Sequence, residues 1–90
     1  MQDIKVGQLV ISKAGRDKGE YFLAVQVAGE YVYLVNGKSR RIDQPKKKKI
    51  KHIQPTHWLS RNVAEEIGSY GKLSNADIQK EIAALLEKEE

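Results

Sequence analysis

Over the first 55 positions, apolar residues come in short runs. QLVIS, YFLAVQV and YVYLV are separated by KAGRDKGE, AGE and NGKS. Short β-branched or aromatic runs bounded by glycine-containing turns read as a meander of strands. The pattern predicts strands near residues 8–13, 20–28, 31–36, 39–43 and 48–53. Asn36-Gly37 is the strongest turn signal, because a type I′ hairpin needs positive φ at both central residues. Ala28-Gly29-Glu30 is the next tight turn. Within YVYLV, Tyr31, Tyr33 and Val35 point one way while Val32 and Leu34 point the other. An antiparallel strand with one wet face alternates apolar with polar. This one does not, so one face fills a sheet core and the C-terminal segment covers the other.

After Pro55 the period changes. Leu59, Val63 and Ile67 fall at i, i+4 and i+8, a helical stripe that Gly68 and Gly71 end. A second helix opens with a full N-terminal signature. Ser74 is the N-cap, Asp77 sits at N3, and Leu73 and Ile78 are placed for a hydrophobic staple. Ile78, Ile82, Leu85 and Leu86 make one apolar face. The expected helices span roughly 57–68 and 75–88. Helices of about three turns are marginal alone, so they must pack on each other or on the sheet, with Trp58 as an anchor. The predicted organisation is a strand-rich unit over 1–55 followed by a helical extension over 56–90.

Ninety residues suffice for one small domain. The chain has no cysteine, which excludes disulfides, thiolate zinc sites and a cysteine nucleophile. MQDIKVGQLVISKAG has no signal-peptide pattern, and no run approaches the roughly 20 apolar residues of a membrane span. The expectation is a cytoplasmic protein without a membrane role. Nothing resembles a catalyst. His52 and His57 lack carboxylate or thiolate partners at ligand spacing, so no metal is expected. The serines lie outside any nucleophile elbow, the GxxxxGK[ST] loop is absent, and Glu65-Glu66 face different directions on a helix. No enzyme activity, cofactor or small-molecule substrate is expected.

Charge changes the picture most. Residues 1–55 carry a net +7 and residues 56–90 a net −3, an asymmetry that suits a polyanionic partner for one face. SKAGRDKGE places Lys13, Arg16 and Lys18 within six residues, broken by Gly15 and Gly19. Glycine lets backbone approach a partner closely, and Lys and Arg donate to phosphate oxygens, Arg bidentately. Asp17 orients Arg16 or helps form the turn. Lys38, Arg40 and Arg41 follow on the next predicted strand. Lys46, Lys47, Lys48, Lys49 and Lys51 form a run whose pattern suggests a loop led by Pro45 feeding an edge strand. Plain alternatives exist for both segments: a solubilising hairpin tip, and lysines that guard an edge against aggregation. The two basic segments together are better explained by a phosphate backbone, with the tip reading shape and the run acting as a flexible, diffuse field.

VGQLVISKAGRDKGEYFLAVQV, residues 6–27, resembles the KOW motif, a strand, a basic glycine-containing loop and a second strand. Val6-Gly7 matches its opening and Lys18-Gly19 its lysine-glycine pair. YVYLVNGKSRRIDQPKKKKIKHIQPT resembles the second half of the barrel in KOW-type large-subunit ribosomal proteins of archaea and eukaryotes, and in compact bacterial KOW proteins. The resemblance implies a mainly β fold, a small five-stranded SH3-like barrel with a C-terminal pair of short α-helices. It also implies RNA binding, with ribosomal RNA as the expected partner and translation as the setting. The residues it points to are Lys13, Arg16, Lys18, Gly19, Lys38, Arg40, Arg41, Lys46, Lys47, Lys48, Lys49 and Lys51. The alternative is a protein-interaction module of the transcription or translation machinery, contacting ribosomal or transcription proteins through the barrel and acidic helices. Salt discriminates the two, since phosphate binding weakens steeply with it.

Overall fold

The computed structural model describes residues 3–66 and 73–88. Five strands come first: β1 (Gln8–Ser12), β2 (Tyr21–Ala28), β3 (Tyr31–Val35), β4 (Lys46–Lys49) and β5 (Ile53–Leu59). A 3-10 turn, Ile50–His52, joins the last two. Two helices follow, α1 (Arg61–Glu66) and α2 (Asn75–Lys88). All strand pairs are antiparallel, in the order β4-β3-β2-β1-β5.

That order forces curvature. Strands sit about 4.8 Å apart, so the edges of a flat five-stranded sheet lie about 19 Å from each other. Here the edges, β4 and β5, are joined by three residues in a 3-10 turn, which advances only about 6 Å. The sheet must therefore curl toward itself at that corner.

Curling divides the core in two. Inside the sheet lie Ile4, Val10, Phe22, Ala24, Val32, Leu34 and Ile53, with Ile50 packed against them. On the outer face, Leu9, Leu23 and Val35 meet Val63 of α1 and Ile78 and Leu85 of α2. The two faces of YVYLV thus separate as expected: Val32 and Leu34 go inside, and Val35 goes under the helices. Burying a side chain the size of Ile78, here fully, contributes about 2 kcal/mol, which is how a 14-residue helix is held. Trp58 packs on this second cluster, as does Tyr21.

The α2 N-terminus is the capping box that its sequence predicts. The Ser74 backbone N–H donates to Asp77 Oδ2 at 3.0 Å, and the Asp77 N–H donates to Ser74 Oγ at 3.1 Å. The staple residues Leu73 and Ile78 share the outer cluster. Helix α1 is capped by Ser60, whose Oγ accepts from the Val63 N–H and donates to Glu81 of α2 at 2.6 Å.

Three expectations are corrected. Residues 39–43 form no strand. Asn36 Oδ1 accepts from the Lys38 and Arg40 backbone N–H groups, each at 2.9 Å, closing a compact loop. Only Gly37 of the Asn-Gly pair has positive φ, at 79°, so no type I′ hairpin forms. Second, the chain stays extended through Pro55 to Leu59, and α1 starts at Arg61 rather than near 57. Proline is tolerated there because β5 is an edge strand. Leu59, read as helical, lies in β5 and is exposed, whereas Val63 is buried in α1. Third, the last predicted strand, 48–53, is two strands with the 3-10 turn between them. That turn brings both Ile50 and Ile53 to the interior despite a spacing that strand alternation does not allow. Ile67, Gly68 and Gly71, the expected end of the first helix, lie outside the described residues.

Candidate nucleic-acid interface

The loop between β1 and β2 is built on two glycines and one acid. Gly15 and Gly19 take φ of 85° and 88°, a region that residues with a Cβ rarely enter. The Gly19 N–H returns to the Ser12 carbonyl at 2.8 Å, closing the loop. Between them the chain turns Lys13, Arg16 and Lys18 to solvent and Asp17 inward. Asp17 is only 7% exposed. It neither orients Arg16 nor acts only within its turn.

Its partners come from β4. Lys46 Nζ donates to Asp17 Oδ2 at 2.5 Å, and Lys48 Nζ donates to Oδ1 at 2.8 Å. Lys48 also donates to the Ala14 carbonyl at 2.7 Å, and Ser12 Oγ donates to Oδ1 at 2.7 Å. Burial alone would raise the Asp17 carboxyl. The hydrogen bonds from Lys46, Lys48 and Ser12 outweigh it and hold the group well below the usual carboxylate range.

The latch corrects part of the reading of the lysine run. The run is an edge strand as expected, but the strand begins at Lys46, with no loop portion within Lys46–Lys49. It is β4, paired residue for residue with β3, Lys46 opposite Leu34 and Lys48 opposite Val32. Paired residues share a face, so Lys46 and Lys48 lie on the side of the interior core. Lys48 is buried at 9% exposure. Their apolar stems run along the sheet while the ammonium groups reach Asp17 at the rim. Lys47 and Lys49 project from the opposite side. Lys47 stands over the Tyr31 ring, 4.4 Å from its centroid, a cation–π contact that occupies that face of the ring.

The other candidates are on the surface. Lys13, Arg16, Lys18, Lys38, Arg40, Arg41, Lys49 and Lys51 are exposed. Gly19 is exposed too, and a Cβ there would meet nothing within 4 Å. Arg41 has an exposed, local ion pair with Asp43 at a long 3.9 Å. Lys38, Arg40 and Arg41 sit on the β3–β4 loop, whose hydrogen bonds run to α2: Gln79 Nε2 donates to the Gly37 carbonyl, and the Ile42 N–H donates to Asn75 Oδ1. Their presentation is thus set by the helix.

Asp17 is the residue of this region that the sequence reading placed too weakly. A signal was present: alternation through KKKK sends two lysines to one face, and a buried pair needs an anion. No protein-family model matches this chain, and no curated protein matches it. No helix among the described residues is long and apolar enough to cross a membrane.

Proposed function

We propose that the chain is a KOW-type RNA-binding module of the cytoplasmic translation machinery, with ribosomal RNA as its partner and an SH3-like barrel as its frame. The curled five-strand order and the short link between the sheet's edges support the barrel reading. One observation carries the functional reading. The only acid between Lys13 and Gly19 is taken up by Lys46 and Lys48, while Lys13, Arg16 and Lys18 stay exposed with no ion pair to a described residue. A phosphate approaching the tip meets three open cations and no free carboxylate among residues 13–19; the exposed acid nearest in sequence is Glu20, just before β2. Backbone contacts of this kind position RNA, and shape supplies selectivity. The protein-docking alternative is less well supported, because the apolar face of α2 is already covered by the sheet.

The test is RNA binding across a salt series. Changing Lys13, Arg16 and Lys18 together to glutamine should weaken binding and flatten the salt dependence. On single strands the log–log slope should fall by about 0.7 for each phosphate that is no longer neutralised. Changing Lys47 and Lys49 to glutamine should flatten it too, with only a small loss of stability from the Lys47–Tyr31 contact. Arg16→Lys should reduce discrimination between structured and unstructured RNA, since it keeps the charge but loses the bidentate fork. An unchanged slope in the triple variant would refute the reading. Crosslinking in cells, with recovery of one defined ribosomal RNA segment, would identify the partner.

A further inference from the structure

The interior core is open at one end. A cavity of about 780 Å³ lies where the β2–β3 turn, the N-terminal segment and the 3-10 turn converge. Its apolar lining is Ile4 and Ile50, with Val27 at its mouth. Ile4 and Ile50 belong to or pack on the interior cluster. Val27 is one of two large apolar side chains that stand exposed among the described residues.

A backbone irregularity puts Val27 there. The β2–β3 register slips by one between Ala24 and Gln26. With unbroken alternation, Val27 would share the outer face of Leu23 and Val25. After the slip it pairs with Val32, an interior residue. Bulges re-aim side chains in this way and are common beside sites. Here the bulge turns an apolar group toward the cavity mouth and leaves it uncovered.

The rim is cationic. Lys13 from the β1–β2 loop, Lys49 from β4 and Lys51 from the 3-10 turn converge on it from three elements, and none is ion-paired to a described acid. Asp3 and Glu30 also line the mouth. Carboxylates accept hydrogen bonds from the exocyclic amines of bases and repel phosphate, which confines a bound backbone to the lysine side. We infer that this cavity takes one unstacked nucleobase of single-stranded RNA, with the flanking phosphates on Lys13, Lys49 and Lys51. The inference rests on the RNA-binding reading and extends it from backbone to base. The volume lies within the roughly 300–1,000 Å³ of small-ligand sites. Single-stranded RNA is recognised by splaying bases onto protein surfaces.

The experiment compares a ten-nucleotide single-stranded RNA with the same strand made abasic at its central positions, by fluorescence anisotropy at fixed salt. The wild-type chain should bind the base-bearing strand about fivefold more tightly, the low end for a stacked base because this lining is aliphatic. Val27→Met extends into the mouth without changing charge or adding an aromatic face and should abolish the difference while leaving abasic binding intact. Lys49→Gln should weaken both strands alike. Amide shifts of Val27, Gly29 and Ile50 in the unmutated protein provide a readout that does not depend on the variant folding. They should move with the base-bearing strand and not with the abasic one. Equal binding of both strands by the wild type, or a difference that survives in Val27→Met, overturns the base site and leaves the RNA-binding reading standing. Binding of neither strand overturns both. Tighter binding of an acidic peptide with an apolar anchor than of either RNA reassigns the cavity to protein and overturns the base site.

Discussion

Asp17→Ala should be among the most damaging single changes outside the apolar core. It removes the acceptor for two lysines and a serine at once. Breaking a buried pair by deleting one partner costs about 3–5 kcal/mol, because the remaining charge stays uncompensated. Two features place the loss at the lower end. Lys46 has a side chain 25% exposed and can turn to water, and Lys48 keeps its bond to the Ala14 carbonyl. A loss of about 3 kcal/mol would lower Tm by about 12–24 °C in a domain of this size. Thermal and urea unfolding by circular dichroism measure it. Lys48→Met should cost far less, since it removes the buried cation and leaves Asp17 with Lys46 and Ser12. The double variant should be more stable than Asp17→Ala alone, a non-additivity of about 1–3 kcal/mol.

The same interaction has a pH signature. The folded carboxyl lies below its ordinary value of 3.8, so its stabilisation is complete above that value and is lost as pH falls below it. Each unit below 3.8 removes about 1.4 kcal/mol of the wild-type advantage. The gap between wild type and Asp17→Ala should therefore narrow at pH 2–3. A Tm change under about 3 °C at pH 7, or a gap that is constant with pH, would refute the latch.

Two further predictions concern the helical side. Gly37→Ala should destabilise more than Gly19→Ala, although both glycines have positive φ. A Cβ at Gly37 would strike the Asn75 carbonyl and Gln79 Cγ, whereas one at Gly19 meets nothing; left-handed strain alone accounts for about 1–2 kcal/mol, so equal urea midpoints would contradict the docking of this loop on α2. Ser74→Ala should cost about 1 kcal/mol by loss of the N-cap. The Ser74 backbone N–H holds the Asp77 carboxyl below its ordinary value, so the α2 N-terminus should fray as pH falls through the acid range, visible in amide exchange of its first turn.

What the sequence made legible was local. The existence of β1 to β3 and the capping box at Ser74 and Asp77 are decided within a few residues of themselves, and both are as expected. The misread elements depend on distant partners. NGKSRRI looks like a hairpin and strand until Asn75 and Gln79, about 40 positions on, claim its backbone groups. IQPTHWL looks like an approach to a helix because Pro55 suggests a boundary; its extended state depends on pairing with β1. The place of Val27 at the cavity could not be read at all, since it follows from a one-residue register slip between Ala24 and Gln26.

The lysine run shows how a charge cluster can serve structure and surface together. Four adjacent ammonium groups repel one another in any arrangement, but a strand separates them by parity. Lys47 and Lys49 go outward, where solvent screens them, and Lys46 and Lys48 go inward, where a carboxylate must meet them. Asp17 supplies one oxygen to each. The trio retains a single net positive charge, and the carboxylate is withdrawn from the loop that carries Lys13, Arg16 and Lys18. Had Asp17 faced solvent, it would have competed with phosphate for Arg16 at one residue's distance. By drawing the acid inward, β4 both fixes the pose of the tip and leaves its cations open, so stability and RNA affinity should respond to the same aspartate through different lysines.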